Sequence, residues 1–333
     1  MDEMPKVSII MPAYNVENFI QDSILSIRNQ TYENWELLII NDGSTDDTLA
    51  VSKASSNRDK RIQIYSQPNK GVSAARNLGL FHATGSLIAF LDGDDLWHPS
   101  FLGKMVSAVL MRDSQIAFSG FNRLHPDGSL SCYNKQYKEG AILLPILQAK
   151  VLLHIGSILV SKAIIEQYSI RFTEDCMISE DMEFMYKLLA IAETVVVKEE
   201  LMTYRKRIGS TTQNDWKWKP YITSIYAMER VLDFINKYYI HADKDEVREV
   251  LQDLICYLKC DFLWKGVKFG EHVVIRELIA KGWRDELRNI HKKEKRISKR
   301  IKYKIVLSEN PFLWSKIYKM NLLMQYSKRQ FRQ

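Results

Sequence analysis

The sequence predicts an α/β protein with a mostly parallel sheet flanked by helices, followed by a helical C-terminal region. Three observations carry this. Short, unbroken apolar runs alternate with helical patterns through roughly the first hundred residues. Asn15, Asp42 and Asp92 each lie just past the end of such a run. After about residue 215 the strand-like runs stop and only helical stripes remain. Strands separated by helices at this interval imply parallel pairing with right-handed crossovers. In such sheets ligands bind beyond the carboxyl ends of the strands.

Taken in order, Val7–Met11 is short, continuous and rich in β-branched residues, as a buried strand is. Asn15 to Asn18 breaks it, and Phe19, Ile20, Ile24 and Ile27 then repeat at helical spacing as far as Gln30. Glu36–Ile40 is a second strand. Asp42-Gly43-Ser44 is a turn, with Thr45 or Asp46 as the expected N-cap of a helix through about Ser55. Arg61–Ser66 is a third strand, Gly71 to Ala83 a helix closed by Thr84-Gly85, and Leu87–Leu91 a fourth strand ending at Asp92-Gly93-Asp94-Asp95. The middle of the chain is less regular. It offers a helix over Leu102–Met111, a strand over Ile116–Phe121, a turn at His125-Pro126-Asp127-Gly128, an apolar run Ile155–Val160 and a helix from Lys162. A helix over Glu180–Ala192 and a strand over Thr194–Lys198 follow. A boundary near Asn214–Pro220 divides an expected domain 1–214 from a helical region 215–333. One stripe there is Ile225, Met228, Leu232 and Ile235; another is Val250, Leu251, Leu254, Tyr257 and Leu258.

The 333 residues exceed one ordinary domain and can bury a substantial core. Hydrophobic content of 46% and charged content of 26% are those of a globular protein. The net charge of +7 is unevenly spread, with Asp-rich runs early and a basic end. Cys132, Cys176, Cys256 and Cys260 show neither framework nor zinc spacing, which favours reduced thiols and a reducing compartment. The N-terminus has no basic segment and no long apolar core of a signal peptide. No window reaches the ~20 apolar residues of a spanning helix. The expectation is a cytoplasmic protein, with peripheral contact at the inner face of the cytoplasmic membrane left open.

Asp92-Gly93-Asp94 sets two carboxylates at i and i+2 around a glycine, directly after an apolar strand. Mn²⁺ or Mg²⁺ takes such oxygens and shares its coordination with substrate phosphates. The alternative is a solvated acidic turn. Asp42 can accept a hydrogen bond from a base imino group, or simply form its turn with Gly43. Arg76 and Asn77 lie on the helix after Gly71. Arginine suits a diphosphate, though it can equally be an exposed helix residue. Glu180-Asp181 heads a helix. One carboxylate can act as a general base and deprotonate a hydroxyl nucleophile. Read locally, Ser179 caps the helix and the two acids only favour its dipole.

VSIIMPAYNVENFI, IINDGSTDDT, GVSAARNLG, FLDGDDLWHP and SEDMEF, in that order, resemble the successive signature segments of glycosyltransferase family 2, with its GT-A fold, over about residues 5–213. The resemblance implies roles. Pro12, Ala13, Tyr14 and Asn15 would border the nucleoside, and Asp42 would read its base. Arg76 and Asn77 would lie near the diphosphate and ribose. Asp92 and Asp94, around Gly93, would form the metal motif. Asp95 and Trp97 would face the donor sugar or the acceptor. Asp181 would be the base, supported by Glu180. Tyr204-Arg205-x-Arg207 resembles a late segment in which Arg207 would help hold the diphosphate. No histidine lies between His154 and His241, so the late metal-binding histidine of some relatives is not expected.

The implied activity is an inverting, metal-dependent transfer from a nucleotide-sugar, a UDP-sugar first, to a hydroxyl of a glycan or lipid-linked glycan in surface polysaccharide synthesis. Between His291 and Lys304 stand eight Lys or Arg residues and one Glu, with Ile297, Ile301 and Ile305 spaced by four. This basic amphipathic stretch suits either an anionic membrane surface or packing on the helical region. Nucleic acid is not an expected partner, because no recognised module accompanies the charge. A nucleotidyltransferase is the alternative enzyme, disfavoured because no glycine-rich, basic phosphate loop follows the first strand. A catalytically silent scaffold or glycan-binding subunit is the alternative outside enzymes.

Overall fold

A computed structural model describes residues 4–56, 59–132, 136–206, 217–287, 302 and 304–330, with the side chains of 321–330 excepted. Nine strands form one sheet: β1 Val7–Ala13, β2 Trp35–Asp42, β3 Ile62–Gln67, β4 Leu87–Phe90, β5 Leu96–Trp97, β6 Ile116–Leu124, β7 Leu130–Cys132, β8 Ile158–Ser161 and β9 Thr194–Arg205. The order across the sheet is β3-β2-β1-β4-β8-β6-β9-β5, with β7 paired to β6. The first four strands are mutually parallel, so Ala13 and Asp42 end at one edge, and Asp92 follows β4 at the same edge. Beyond β4 the sheet is mixed. β8 runs antiparallel to β4 and β6, whereas β6 and β9 are parallel, with a register shift at Ser119–Phe121. The α/β class and helical C-terminal region are as expected; an unbroken run of parallel pairing is confined to β1–β4.

Period-two alternation puts the two faces of the sheet into separate cores. Val7, Ile9, Met11, Leu37 and Ile39 pack with helices α1 (Ile20–Arg28) and α4 (Phe101–Arg112). Ile10, Leu38, Ile40, Ile88 and Phe90 pack on the other face. That second core takes in α3 (Val72–His82), α6 (Lys162–Gln167) and α7 (Glu180–Ile191). It runs on without a break into α8 (Trp218–Tyr238) and α9 (Lys244–Phe269).

Helix α2 (Thr48–Ser55) has Asp47 at its N-cap, one residue past Asp46 and two past Thr45, the two expected caps. Asp46 still takes the Thr48 amide on Oδ1 at 3.0 Å, from just outside the cap. The Ile155–Val160 run divides into a 3₁₀ turn, Ile155–Ser157, and β8. Strand β9 runs seven residues past its expected end at Lys198. A short helix α5 (Leu143–Leu147) precedes the turn.

On α8, Ile225, Met228 and Ile235 are buried. The buried face of the first half of α9 is Val247, Leu251 and Ile255, and Tyr257 is 42% exposed, so that stripe is rotated from the expected one. The reason is that α9 packs against α8, α5 and the last helix α11 (Pro311–Gln330), and so has no single solvent side. Between α9 and α11 lies α10 (His272–Leu278). Ile297 and Ile301 lie outside the described residues. Val306 and Trp314 are fully buried, which seats this part of the tail on the helical region.

Candidate active site

The loops after β1 and β2 are laced together at the sheet edge. Asn15 accepts the Thr45 amide on Oδ1 at 2.9 Å, and its own amide donates to Ser44 Oγ at 3.2 Å. The Glu17 amide donates to Asp46 Oδ2 at 3.2 Å. Pro12 and Ala13 are buried at the end of β1, and Tyr14 and Asn15 are exposed past it. Gly43 has φ 70°, and a Cβ there would stand 2.6 Å from the Asn69 nitrogen, so this turn admits only glycine.

Asp42 is buried, and its carboxylate is largely committed. Oδ1 accepts Gln67 Nε2 at 2.7 Å and the Lys70 amide at 2.9 Å, while Oδ2 accepts the Gly71 amide at 2.8 Å. It anchors the loop that opens α3, and counting lone pairs leaves one on Oδ2 for a ligand.

Arg76 is the centre of the site. Its side chain is 3% exposed, with Nη2 at 2.9 Å from Asp92 Oδ1 and 3.2 Å from Oδ2, and Nη1 at 3.2 Å from Glu180 Oε1. Burial opposes its charge, but Asp92, Glu180 and Asp181 outweigh that and keep the guanidinium ionised. One arginine thereby ties the strand-end acids to the head of α7. Asn77 faces elsewhere. Its amide group bonds the Phe172 carbonyl at 2.9 Å, the Phe172 amide at 3.0 Å and Glu174 at 3.2 Å, stapling that backbone to α3.

The turn after β4 presses against β1. The Gly93 amide donates to the Pro12 carbonyl at 3.3 Å, and a Cβ on Gly93 would lie 3.2 Å from the Val16 side chain. Asp94 is half-buried. Asp95 is buried: Oδ1 accepts the Arg205 amide at 2.9 Å, and Oδ2 has no hydrogen-bond partner among the described residues. Burial, then the charges of Asp94 and Asp92, push its carboxyl well above the usual range. Trp97, expected to face the donor sugar or the acceptor, is seated in the core. It is 4% exposed, stacks on Phe101 at 4.2 Å and donates its indole N–H to the Gly156 carbonyl at 2.7 Å. Its ring is thus core, and its polar edge is spent on the backbone.

Glu180 and Asp181 are half-buried at the start of α7. Ser179 is at the N-cap, but at φ 71° and with no side-chain cap, so the helix head is held by tertiary contacts. A left-handed non-glycine residue costs about 1–2 kcal/mol, and such strain gathers at functional sites. Asp181 Oδ1 accepts the Met182 amide at 2.7 Å. Burial and then Asp181 raise the Glu180 carboxyl above its ordinary value, against the pull of Arg76. Arg207 lies outside the described residues.

Three further residues cluster at the end of β9. His154 sits between the rings of Phe121 and Tyr204, at 5.5 and 5.3 Å. Arg123 lies over the Tyr204 ring at 5.6 Å. Burial first, then the charges of Asp95, Asp94 and Asp92, raise the Tyr204 hydroxyl. The signal for His154 was there to read: it is the single titratable residue between Lys150 and Lys162.

The sequence profile described as Glycosyl transferase family 2 matches residues 8–135, from β1 through the turn after β4 and on into β7. An uncharacterized glycosyltransferase of Haemophilus influenzae is 33% identical over 222 residues, covering 64% of this chain and 69% of that one. The putative teichuronic acid biosynthesis glycosyltransferase TuaG of Bacillus subtilis is 36% identical over 126 residues, 38% of this chain and 50% of that one. The aligned part thus spans between half and about two thirds of these relatives. Among solved structures, S. aureus TarS 1-349 in complex with UDP-GlcNAc superposes with a TM-score of 0.68 at 18% identity, covering 98% of this chain and 92% of that one. The mannosyltransferase PcManGT from Pyrobaculum calidifontis, in complex with GDP-Man and Mn2+, gives 0.58 at 15% identity, covering 77% and 72%. At these identities the structural likeness establishes the GT-A fold. The profile and the Haemophilus relative place this chain in glycosyltransferase family 2.

Proposed function

We propose that the protein is an inverting, metal-dependent glycosyltransferase that moves a hexosyl or N-acetylhexosaminyl group from a UDP-sugar to a hydroxyl of a glycan or lipid-linked glycan. The observation that carries this is Arg76, whose two ion pairs set the Asp92-Gly93-Asp94 turn against Glu180-Asp181. Asp181 takes the proton of the acceptor hydroxyl as its oxygen bonds to the anomeric carbon. The bond from that carbon to the diphosphate breaks, and UDP leaves with the electron pair. No covalent enzyme intermediate forms. Glu180 orients the base from the Arg76 side. Tyr14, Asn15 and the remaining lone pair of Asp42 border the nucleoside, with Pro12 and Ala13 as the floor.

The donor set suits a hard divalent cation. Asp94, with the unpartnered Oδ2 of Asp95, supplies carboxylate oxygen of the kind Mg²⁺ or Mn²⁺ takes alongside substrate phosphates. Asp92 is the weaker ligand, because both its oxygens accept from Arg76. Among the described residues no group of three ligands stands together, so diphosphate oxygens would complete the shell. A bound metal would neutralise charge on the leaving diphosphate. UDP-GlcNAc bound to TarS supports a UDP-sugar donor, Mn2+ bound to PcManGT supports the metal, and the teichuronic acid relative supports a surface-polysaccharide acceptor.

We read 1–214 as the catalytic unit and 215–333 as its helical appendage. No helix among the described residues is long and apolar enough to cross a membrane. Peripheral contact, at the inner face of the cytoplasmic membrane, is supported by Phe312, 85% exposed on the same helix as Lys316 and Lys319. The test is a thermal-shift screen of nucleotide-sugars with and without Mn²⁺ or Mg²⁺, followed by transfer and hydrolysis assays with the best donor. A UDP-sugar should stabilise the protein only with metal and then turn over. Binding without any turnover would leave a silent glycan-binding subunit in place of the enzyme.

A further inference from the structure

His154 is seated firmly on both its ring faces and its Nδ1. Its Nδ1 accepts the Gly156 amide N–H at 3.1 Å, closing the turn that leads into β8. The Gly156 carbonyl is held in turn by the Trp97 indole, and a Cβ on Gly156 would meet Met202 Cε at 2.9 Å and His154 Nδ1 at 3.3 Å. Phe121 and Tyr204 hold the ring from β6 and β9. Because Nδ1 is an acceptor here, the neutral ring carries its proton on Nε2. Among the described residues no protein group accepts that N–H. Burial holds the imidazole below its usual value; Asp92 and Asp181 pull it up, while Arg76 and Arg123 push it down. The ring therefore offers an uncharged donor within the field of both acids.

An uncharged donor suits a neutral oxygen rather than a diphosphate, which calls for cations. The side of the cleft is also set. Tyr204, packed on His154 at 5.3 Å, directly precedes Arg205, whose amide donates to Asp95 Oδ1 at 2.9 Å, so the pair flanks the strand-end turn assigned to the donor. Resting on the glycosyl-transfer reading above, we propose that His154 contacts the transferred sugar, its Nε2–H donating to a hydroxyl or N-acetyl oxygen of the hexosyl group between the Asp92-Gly93-Asp94 turn and the head of α7. It is a specificity-determining residue for the donor, separate from the metal ligands and the base.

The test uses the full chain and three variants. His154→Asn keeps an acceptor for the Gly156 amide but has no donor at the Nε2 position. His154→Gln restores an N–H at about that reach. His154→Phe keeps the ring and removes both nitrogens. UDP-sugar hydrolysis without acceptor, UDP affinity by calorimetry and melting temperature are measured on each. For His154→Asn and His154→Phe, kcat/KM for hydrolysis should fall about tenfold or more, on the scale of one lost hydrogen bond to substrate. UDP affinity should stay within about twofold of the native value, the loss belonging to the sugar alone. His154→Gln should recover most of the loss. Native hydrolysis in His154→Asn overturns the proposal. So does a parallel loss of UDP affinity in His154→Asn, or failure of both loss variants to fold, because either makes the residue structural. Failure of the broader reading shows differently, in a wild-type protein that turns over no nucleotide-sugar, and it removes both.

Discussion

Glu180 and Glu183 stand three residues apart on α7, and the protein treats their carboxylates in opposite ways. Glu183 is 1% exposed and fully neutralised. It accepts Thr173 Oγ1 at 3.0 Å, Lys187 Nζ at 2.6 Å, and Arg230 through Nε at 2.9 Å and Nη2 at 2.6 Å. Burial alone would raise its carboxyl, but Arg230 and Lys187 outweigh burial and hold it below the ordinary value. Glu180 shares Arg76 with Asp92, sits beside Asp181, and is raised. One turn of helix thus carries a satisfied acid that fastens α7 to α8 and an under-compensated pair beside Arg76. A carboxylate built for stability is surrounded until its charge is cancelled; one held for chemistry is left with like charge beside it.

Four changes sharpen or break this contrast. The largest effect is expected for Asp94→Ala, which should lower transfer on the order of 10³-fold or more, the scale of several kcal/mol of metal-borne stabilisation. Full activity in that variant, or with a chelator present, would end the metal role. Arg76→Met comes next. It strands Asp92 and Glu180 without their shared cation, so stability should drop by about 3–5 kcal/mol in denaturant titration, with donor binding weakened as well. A well-folded Arg76→Met with native donor affinity would mean that the two acids do not need their tie.

Glu183→Gln should cost about 1.5–3 kcal/mol, the range for hydrogen bonds to a charged group, while kcat stays near that of the native enzyme. A large fall in kcat at unchanged stability would erase the distinction between the two acids. The smallest effect at neutral pH concerns acid unfolding. Glu36, on β2, is also encircled: burial raises it, but Lys6, Ser8 and Thr84 bring it down to about 2 from 4.5. A folded-state value below the unfolded one contributes stability that is complete above about pH 4.5 and drains away as pH falls toward 2. Glu183 acts in the same sense. Native protein should therefore keep its melting temperature down to about pH 5 and lose it below, and Glu36→Gln should flatten that acid limb.

The parts that were legible in the sequence share a physical cause. β1, β2 and β4 are continuous apolar runs because both faces are buried, and their parallel arrangement places Asn15, Asp42 and Asp92 at one edge by topology alone. β9 runs past the end its pattern predicts because Lys198 and Glu199 bulge out of the pairing with β6, which resumes at Glu200 and continues to Arg205. β5 has two residues and β7 three, too few for any period to register. At the site, Asp92 and Glu180 stood out separately in the sequence, and the fold brings both to Arg76. The partners of Arg76 and Trp97 did not show, because Glu180 and Gly156 reach them only through the tertiary fold.

The most direct measurement is turnover of Asp181→Asn, with UDP-sugar affinity and melting temperature taken on the same preparation. The side chain keeps its size, and Oδ1 can still accept the Met182 amide. If Asp181 is the base, turnover falls at least about 10²-fold, donor affinity stays within a few-fold, and the protein melts as the native one does. If the acids of α7 serve only the helix dipole, the change costs about 0.3–1 kcal/mol of stability and turnover is nearly native. A folded Asp181→Asn enzyme with native turnover contradicts the role assigned to the head of α7.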